Sequence, residues 1–303
     1  MLDDFLMFSF APMLIGLFIA ITCAILGNFL LLRKQALVSD SISHVVLPGI
    51  VLAFVVTGSA ATWPMMIGAG VAALLSVAFI EVIVRFGRIE PSAAMGVVFT
   101  SMFALGVLLL ELSDTRNVHL DVQHALYGSL ESLIWLDAVG WRSLLDPVAL
   151  AGLPHELWRV LAVFALVTGA IIVFWRHFVL ISFDETFAAS AGVHVGLVSI
   201  FLISLSAIAA VAAFDAVGSI IVIAMFVCPP ATARLLTNRL KTQVALSVLF
   251  ASLSVIVGIL ASGYVLRPFG YTDSVSAAGM IAVISGILLA ASAVFGKHRL
   301  AVN

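Results

Sequence analysis

Asp40 and His44 are the residues of this sequence whose types and spacing point most directly to chemistry. They stand four residues apart at the start of an apolar segment, and on an α-helix this spacing places both side chains on one face. A carboxylate and an imidazole together form a ligand set for first-row transition metals. The alternative is structural: Asp40 caps the helix, as acidic residues do near helix starts, and His44 makes a packing hydrogen bond.

Two further positions carry side chains that bind metals. His124 follows His119 and Asp121 and opens the apolar stretch HALYG, so it is the strongest candidate of that group. Asp215 opens the seventh apolar segment, where it faces the mouth of a pathway, caps the helix or lies at the outer interface. A solvated loop is the alternative for the histidine group, and both His124 and Asp215 rank behind the Asp40 and His44 pair as candidate ligands.

The composition places these residues in a membrane. Of 303 residues, 63% are hydrophobic and 10% are charged, and the mean hydropathy is +1.24. Soluble chains average about 45–50% apolar and about 25% charged residues. The net charge of -2 argues against a nucleic-acid-binding face. The sequence lacks a G-x-x-x-x-G-K-[ST] loop, so ATP binding of that kind belongs to another subunit. An ionisable residue in such a chain is expected to serve function.

Nine segments are apolar and long enough to cross a bilayer, which takes roughly 20 residues of helix. They are Met7–Leu32, Val38–Val56, Thr62–Val84, Ser92–Leu110, Leu157–Trp175, Val195–Phe214, Val217–Leu236, Val244–Ser262 and Ala277–Phe295. We predict an all-α bundle of about nine transmembrane helices (eight to ten) that forms a single domain over residues 1–303. Pro48-Gly49 and Pro229-Pro230 are predicted to interrupt their helices beside a pathway.

Positive charge predicts the orientation of these spans. The basic residues cluster after odd-numbered spans, and the positive-inside rule assigns those ends to the cytoplasm. They are Arg33, Lys34, Arg85, Arg88, Arg176, Arg234, Arg239, Lys241, Lys297 and Arg299. The C-terminus is then cytoplasmic, and residues 113–156 form an external segment that we expect to contain short interfacial or re-entrant helices.

Residues 182–194, SFDETFAASAGVH, form a distinctive internal connection. Asp184 and Glu185 near its start and Gly192 near its end predict a short amphipathic helix. Such a helix between two spans suits the docking of a cytoplasmic partner, and an ordinary loop is the alternative.

The segment RKQALVSDSISHVVLPGIVLAF resembles the signature of the permease subunits of metal-ion ABC importers, the manganese, zinc and iron family. That signature combines a basic pair, Ala-Leu, a small residue, Asp, Ser-His and Leu-Pro-Gly. The matching residues are Arg33-Lys34, Ala36-Leu37, Ser39, Asp40, Ser43-His44 and Leu47-Pro48-Gly49. Three further segments, HALYGSL, ISFDETFAASAGVHV and VGSIIVIAMFVCPPATARLLT, are similar to family segments and occur in the same order.

The resemblance implies a fold like that of the cobalamin and siderophore importer permeases, in the bacterial cytoplasmic membrane. It implies three partners: a second permease copy, identical or paralogous, an ATP-binding subunit in the cytoplasm, and an extracytoplasmic metal-binding protein. It places Asp40 and His44 along the path of a transported divalent ion, with no permanently bound cofactor and with ATP on the partner subunit. The positions that it assigns to docking of the ATPase are Asp184, Glu185, Ala189 and Gly192.

The chain also departs from the family pattern, and rival functions exist. Asp215 and Cys228 are atypical at their positions, so the metal stays open among manganese, zinc and iron, and Asp215 is a candidate subtype-specific ligand. One rival is a proton-coupled secondary metal transporter that uses Asp40 and His44 as a relay. It predicts an inverted repeat, and the sequence contains no convincing one. A non-transporting membrane scaffold is the other rival.

Overall fold

The computed structural model describes residues 6–36, 38–58, 62–112, 130–137, 140, 143, 146–265 and 276–296. Within these ranges the regular structure is entirely helical, which confirms the all-α prediction. The helices are α1 (Ala11–Leu32, after a π-helical turn at Leu6–Phe10), α2 (Val38–Thr57), α3 (Thr62–Gly87), α4 (Pro91–Leu112), α5 (Pro147–Ala151), α6 (His155–Phe183), α7 (Glu185–Ser190), α8 (Val195–Leu236), α9 (Leu240–Leu260, before a π-helical turn at Ala261–Val265) and α10 (Ala277–Phe295), with a 3-10 turn at Leu130–Ser132.

The number of membrane-spanning helices agrees with the prediction. Among the described residues, eight helices are long and apolar enough to cross a bilayer, and the shorter apolar helix His44–Thr57 forms most of α2. Helix α6 is longer than its predicted span of Leu157–Trp175, because it contains 29 residues. At about 1.5 Å per residue it is about 44 Å long, which exceeds the roughly 30 Å of a hydrocarbon core. It is therefore longer than the hydrocarbon core requires, and α7 follows it directly.

Helix α8 contains the sixth and seventh predicted spans, and Gly218 divides them. The backbone of Gly218 has φ 78° and ψ 170°, a combination that only glycine adopts without strain. The first part of α8 and the second part are thus separate helices on either side of this residue. The predicted boundary between Phe214 and Val217 is close to the observed one.

The predicted helix break at Pro229-Pro230 is wrong. Both prolines lie inside the second part of α8, where the only non-helical residue is Gly218. A proline lacks the N–H that would bond the carbonyl four residues earlier, so Pro230 leaves the Phe226 carbonyl without that donor. Gly27 of α1 packs directly against this carbonyl and against the Pro230 ring. The neighbouring helix covers the site of the missing bond, and the helix continues.

The predicted break at Pro48-Gly49 is wrong for the same kind of reason. Helix α2 runs from Val38 to Thr57 with Pro48 inside it. A Cβ on Gly106 of α4 would lie 2.8 Å from Pro48 Cδ, and one on Gly49 would overlap the carbonyl of Gly68 in α3. Small residues allow helix backbones to approach closely in membranes. Two neighbouring helices therefore enclose this stretch of α2 and keep it helical.

The chain forms two compact units. One consists of Met1–Asn28, Gln123–Thr168 and Asp215–Asn303. In its part of the 113–156 segment, Leu130–Ser132 and Pro147–Ala151 form the expected short helices. Trp135 between them is fully buried, and its indole N–H donates to the Ala149 carbonyl at 2.8 Å. Trp135 is therefore part of the protein core.

The other unit consists of Phe29–Val122 and Gly169–Phe214, and it contains Asp40, His44 and α7. Phe29 and Phe178 are fully buried in it, with ring centroids 5.7 Å apart, and Phe201 stacks on Phe178 at 6.0 Å. Helix α3 presents large apolar side chains outward, as a lipid-facing surface requires. Examples are Trp63, Ile67, Val71, Leu75, Phe79 and Val82.

Candidate functional site

Asp40 and His44 lie on one face at the start of α2. Asp40 is in the first turn of the helix, where a negative charge is favoured by the helix dipole. Its Oδ1 is 3.7 Å from His44 Nε2, which is longer than a hydrogen bond. The two side chains are 40% and 32% exposed, respectively. The two side chains are therefore adjacent and partly exposed, as the spacing predicts.

Two phenylalanines of α4 hold the imidazole of His44. The ring of Phe99 lies 5.1 Å from it between centroids, and Phe103 makes an edge contact at 5.5 Å with an interplanar angle of 85°. Such contacts restrict the orientation of the imidazole. The sequence analysis missed both residues. Their spacing of four puts them on one face of α4, but only the packing of α4 against α2 shows that this face meets His44.

The pair fits a transition-metal ion as an incomplete site. Metal–ligand distances of about 2.0–2.2 Å in a tetrahedral arrangement place two ligand atoms about 3.4 Å apart. The observed 3.7 Å between Asp40 Oδ1 and His44 Nε2 needs to shorten by a few tenths of an ångström. In the part of the chain that the structure describes, no group of three or more His, Cys, Asp or Glu side chains could hold a metal. A complete coordination shell thus needs other donors.

The two secondary candidates are not tested by the structure. His124, with His119 and Asp121, lies outside the described residues. Asp215 lies in a helix three residues before Gly218. Its side chain is not among the parts of the chain that the structure describes. Both therefore stay predictions.

The predicted short helix in residues 182–194 is confirmed as α7, Glu185–Ser190. The Asp184 carboxylate caps its first turn, accepting hydrogen bonds from the Thr186 hydroxyl at 2.6 Å and the Phe187 amide at 2.9 Å. These bonds, that from Thr186 first, lower the pKa of Asp184 below its ordinary value. Gly192 follows the helix with φ 82°, as is typical of a glycine after a helix end.

Helix α7 presents most of its surface outward. Ala188 is its buried residue, whereas Ala189 and Glu185 are exposed. Phe183 and Phe187 are 57% and 58% exposed, respectively, and are four residues apart at the junction of α6 and α7. These exposed phenylalanines, one at the end of α6 and one in α7, are large apolar side chains of the kind that contact another protein.

Arg33 is the residue near the site whose role the sequence did not reveal. In the sequence it is one of the positive charges that orient the spans and part of the basic pair of the family signature. Its guanidinium is buried, and it forms an ion pair with Glu185 of α7 at 3.0 Å. An arginine in a basic pair gives no sign in the sequence that it is buried or which acid it meets.

Known membrane transport proteins are similar to this chain over most of its length. Residues 6–139 and 149–296 match the model of the ABC 3 transport family. The manganese transport system membrane protein MntD of Bacillus subtilis is 36% identical over 283 residues, which cover 92% of this chain and 89% of that protein. The zinc transport system membrane protein TroD of Treponema pallidum is 34% identical over 286 residues, 94% of this chain and 73% of that protein.

A solved structure is similar over almost the whole chain. PsaBC from Streptococcus pneumoniae, determined in complex with a Fab, superposes with a TM-score of 0.74 at 27% sequence identity. The match covers 98% of this chain and 95% of the PsaBC chain.

Proposed function

Since this chain belongs to the ABC 3 transport family, we propose that it conducts a divalent metal ion past Asp40 and His44. Membership of the family makes it a multi-pass membrane permease of a bacterial manganese, zinc or iron ABC transport system, and not a catalytic subunit. The observation that carries the proposal is the partly exposed carboxylate–imidazole pair, 3.7 Å apart on one face of α2. Within an apolar helix such a pair is expected to serve the ion pathway.

The incompleteness of the site supports passage of the ion rather than storage. Conduction requires binding that is weak enough for release. One chain supplies a carboxylate and an imidazole from a single helix turn, and a second permease copy would supply the same two groups. We infer that the ion passes between Asp40 and His44 of two copies, as part of an alternating-access cycle.

The types of ligand atom limit which metal ions the pair can bind. Oxygen and imidazole nitrogen suit Mn²⁺, Fe²⁺ and Zn²⁺, whereas Cu⁺ prefers sulfur. The similar proteins of Bacillus subtilis and Treponema pallidum are named for manganese and zinc transport, respectively. The proposal therefore covers Mn²⁺, Zn²⁺ and Fe²⁺ as cargo.

The energy source and the delivery of metal are assigned to other subunits. We propose that a cytoplasmic ATP-binding subunit docks on α7 and on the exposed side chains of Phe183 and Phe187, and that an extracytoplasmic protein delivers the metal. The basic residues that follow the odd-numbered spans support an orientation with α7 and the C-terminus in the cytoplasm. Helix α6, which α7 follows directly, is longer than the hydrocarbon core requires, and this arrangement allows its end to project into the cytoplasm.

Uptake of metal into proteoliposomes tests the proposal. The permease is reconstituted with its ATPase and metal-binding partners, and uptake of Mn²⁺, Zn²⁺ and Fe²⁺ is compared for wild type, Asp40→Asn and His44→Ala. We expect at least tenfold slower ATP-dependent uptake in both variants. Glu90→Gln and His177→Ala change exposed residues of the same types and serve as controls.

Two results would contradict the proposal. Full uptake in both Asp40→Asn and His44→Ala would show that the ion does not depend on this pair. Uptake that runs on a proton gradient without the ATPase would support the secondary transporter instead.

A further inference from the structure

The side chain of Arg33 joins four parts of one unit of the chain. It is 6% exposed. Its Nε donates to Gln35 Oε1 at 3.1 Å and its Nη1 to the Ile181 carbonyl at 3.1 Å, while Nη2 donates to Ser199 Oγ at 2.8 Å. The same Nη2 is 3.0 Å from Glu185 Oε1. One rigid guanidinium therefore connects the segment before α2, the end of α6, the start of α8 and α7.

Because Arg33 is buried and bonded to several partners, the loss of any one of these bonds destabilises its position. Burial lowers the pKa of the Arg33 guanidinium, while the negative charges of Glu185 and Glu81 raise it, and an arginine stays charged throughout. A buried charge that loses a partner is strongly destabilised, because water does not replace the lost bond. Arg33 and the groups bound to it are therefore expected to move together.

Arg33 is also close in the chain to the proposed ion site. It follows α1 directly, and only residues 34–37 separate it from α2, whose first turn contains Asp40. Gln35 is buried, and its backbone N–H donates to the Leu30 carbonyl at 2.8 Å. The segment between Arg33 and α2 is thus short, and Gln35 within it is fixed by a hydrogen bond. Because so few residues intervene, a displacement of the guanidinium is expected to reach the start of α2.

Glu185, which forms the ion pair with Arg33, is accessible to another protein. The Glu185 side chain is 58% exposed, so a protein that contacts α7 reaches one end of the ion pair while the other end stays buried. We propose that Arg33 is a positioning residue that transmits movement of α7 to α2 and so links events at the ATPase to the opening of the Asp40 and His44 site. This inference rests on the proposed function and adds a residue to it.

The decisive measurement is the number of Mn²⁺ ions transported per ATP hydrolysed in proteoliposomes that contain the complete transport complex. We expect Arg33→Gln to lower this ratio at least fivefold, while ATP hydrolysis and the KM for Mn²⁺ change less than twofold. Arg33→Lys keeps the charge but loses the fork of donors, and we expect it to restore only part of the ratio. Lys34→Gln removes the adjacent, exposed positive charge and should leave the ratio unchanged.

A second variant keeps the test valid if Arg33→Gln does not assemble. Glu185→Gln changes an exposed side chain and removes only one partner of Arg33, so it should fold normally and still lower the transport ratio. If the pair acts as a unit, the double variant should be no worse than the more severe single variant. Ser199→Ala removes another partner, and Ser206→Ala removes a buried hydroxyl of the same helix that donates to the Leu202 carbonyl of that helix.

The outcomes separate this inference from the proposed function. A normal transport ratio in Glu185→Gln, or additive losses in the double variant, would overturn the role of Arg33. An equal effect of Ser199→Ala and Ser206→Ala would also overturn it. If the wild-type complex does not couple Mn²⁺ uptake to ATP at all, the proposed function fails first.

Discussion

Gly49 of α2 and Gly68 of α3 face each other so closely that a Cβ on either residue would overlap the backbone carbonyl of the other. The contact is extended by two alanines: a Cβ on Gly49 would lie 2.7 Å from Ala72 Cβ, and one on Gly68 would lie 2.6 Å from Ala53 Cβ. Helix α2, which carries Asp40 and His44, is thus fixed against α3 through small residues and backbone.

We expect Gly68→Ala to destabilise the protein by about 1–3 kcal/mol, because the added methyl group forces the two backbones apart. The measurement is the thermal unfolding midpoint of the purified protein in detergent. Gly70→Ala, on the same helix, is the matched control, since nothing lies within 4 Å of a Cβ at that position. It should be neutral or stabilising. Equal unfolding midpoints for the two variants would contradict the close contact.

Phe103 is expected to affect metal affinity by holding His44. An edge contact between rings contributes about 0.5–1.5 kcal/mol, so Phe103→Leu should raise the KM for Mn²⁺ uptake about twofold to tenfold with a smaller change in maximal rate. Phe79→Leu alters an outward-facing phenylalanine of α3 and should leave the KM unchanged. The same KM in both variants would mean that the aromatic contact does not position the imidazole.

Asp184 is expected to keep α7 folded by capping it. Asp184→Ala should increase hydrogen exchange at the Phe187 amide severalfold, whereas Asp184→Asn should largely preserve protection because asparagine is also a good cap. Mass spectrometry of the peptide that contains α7 measures the exchange. Similar exchange in wild type and Asp184→Ala would show that the cap is dispensable.

The lowered pKa of Asp184 predicts how the stability of α7 depends on pH. The pKa of Asp184 is lowered from its ordinary value of 3.8 by its bonds to Thr186 and Phe187. A lowered pKa means that ionised Asp184 stabilises the folded helix fully above pH 3.8, and that this contribution is lost as the pH falls through the lowered value. Protection in wild type should therefore persist through pH 5 and decline only in stronger acid. An Asp184→Asn variant should lack this decline.

Phe187 is expected to contribute to docking of the ATPase. Exposed aromatic side chains are common among the residues that dominate interface energies, so Phe187→Ala should weaken association of the ATPase with the detergent-solubilised permease at least tenfold. Phe8→Ala changes a similarly exposed phenylalanine in the turn before α1 and is the control. Unchanged affinity in Phe187→Ala would place the docking surface elsewhere.

The amino-acid sequence was sufficient for the features that depend on local chemistry. Long apolar segments predict spanning helices because the bilayer leaves few alternatives to an α-helix, and the predicted number agrees with the structure. Asp184 and Gly192 marked the two ends of α7, because a capping carboxylate and a left-handed glycine act through neighbours in the chain. The shared face of Asp40 and His44 likewise follows from a spacing of four residues.

The other features of the fold and the site depend on contacts between helices, which local sequence patterns do not predict. Pro48 and Pro229-Pro230 were predicted to break their helices, but Gly106 and Gly27 pack against them and both helices continue. The partners of His44 on α4 and the burial of Arg33 against Glu185 also depend on packing between distant segments. A proline or an arginine has the same local propensity wherever it stands, and only the neighbouring helix determines whether a lost bond is covered or a charge is paired.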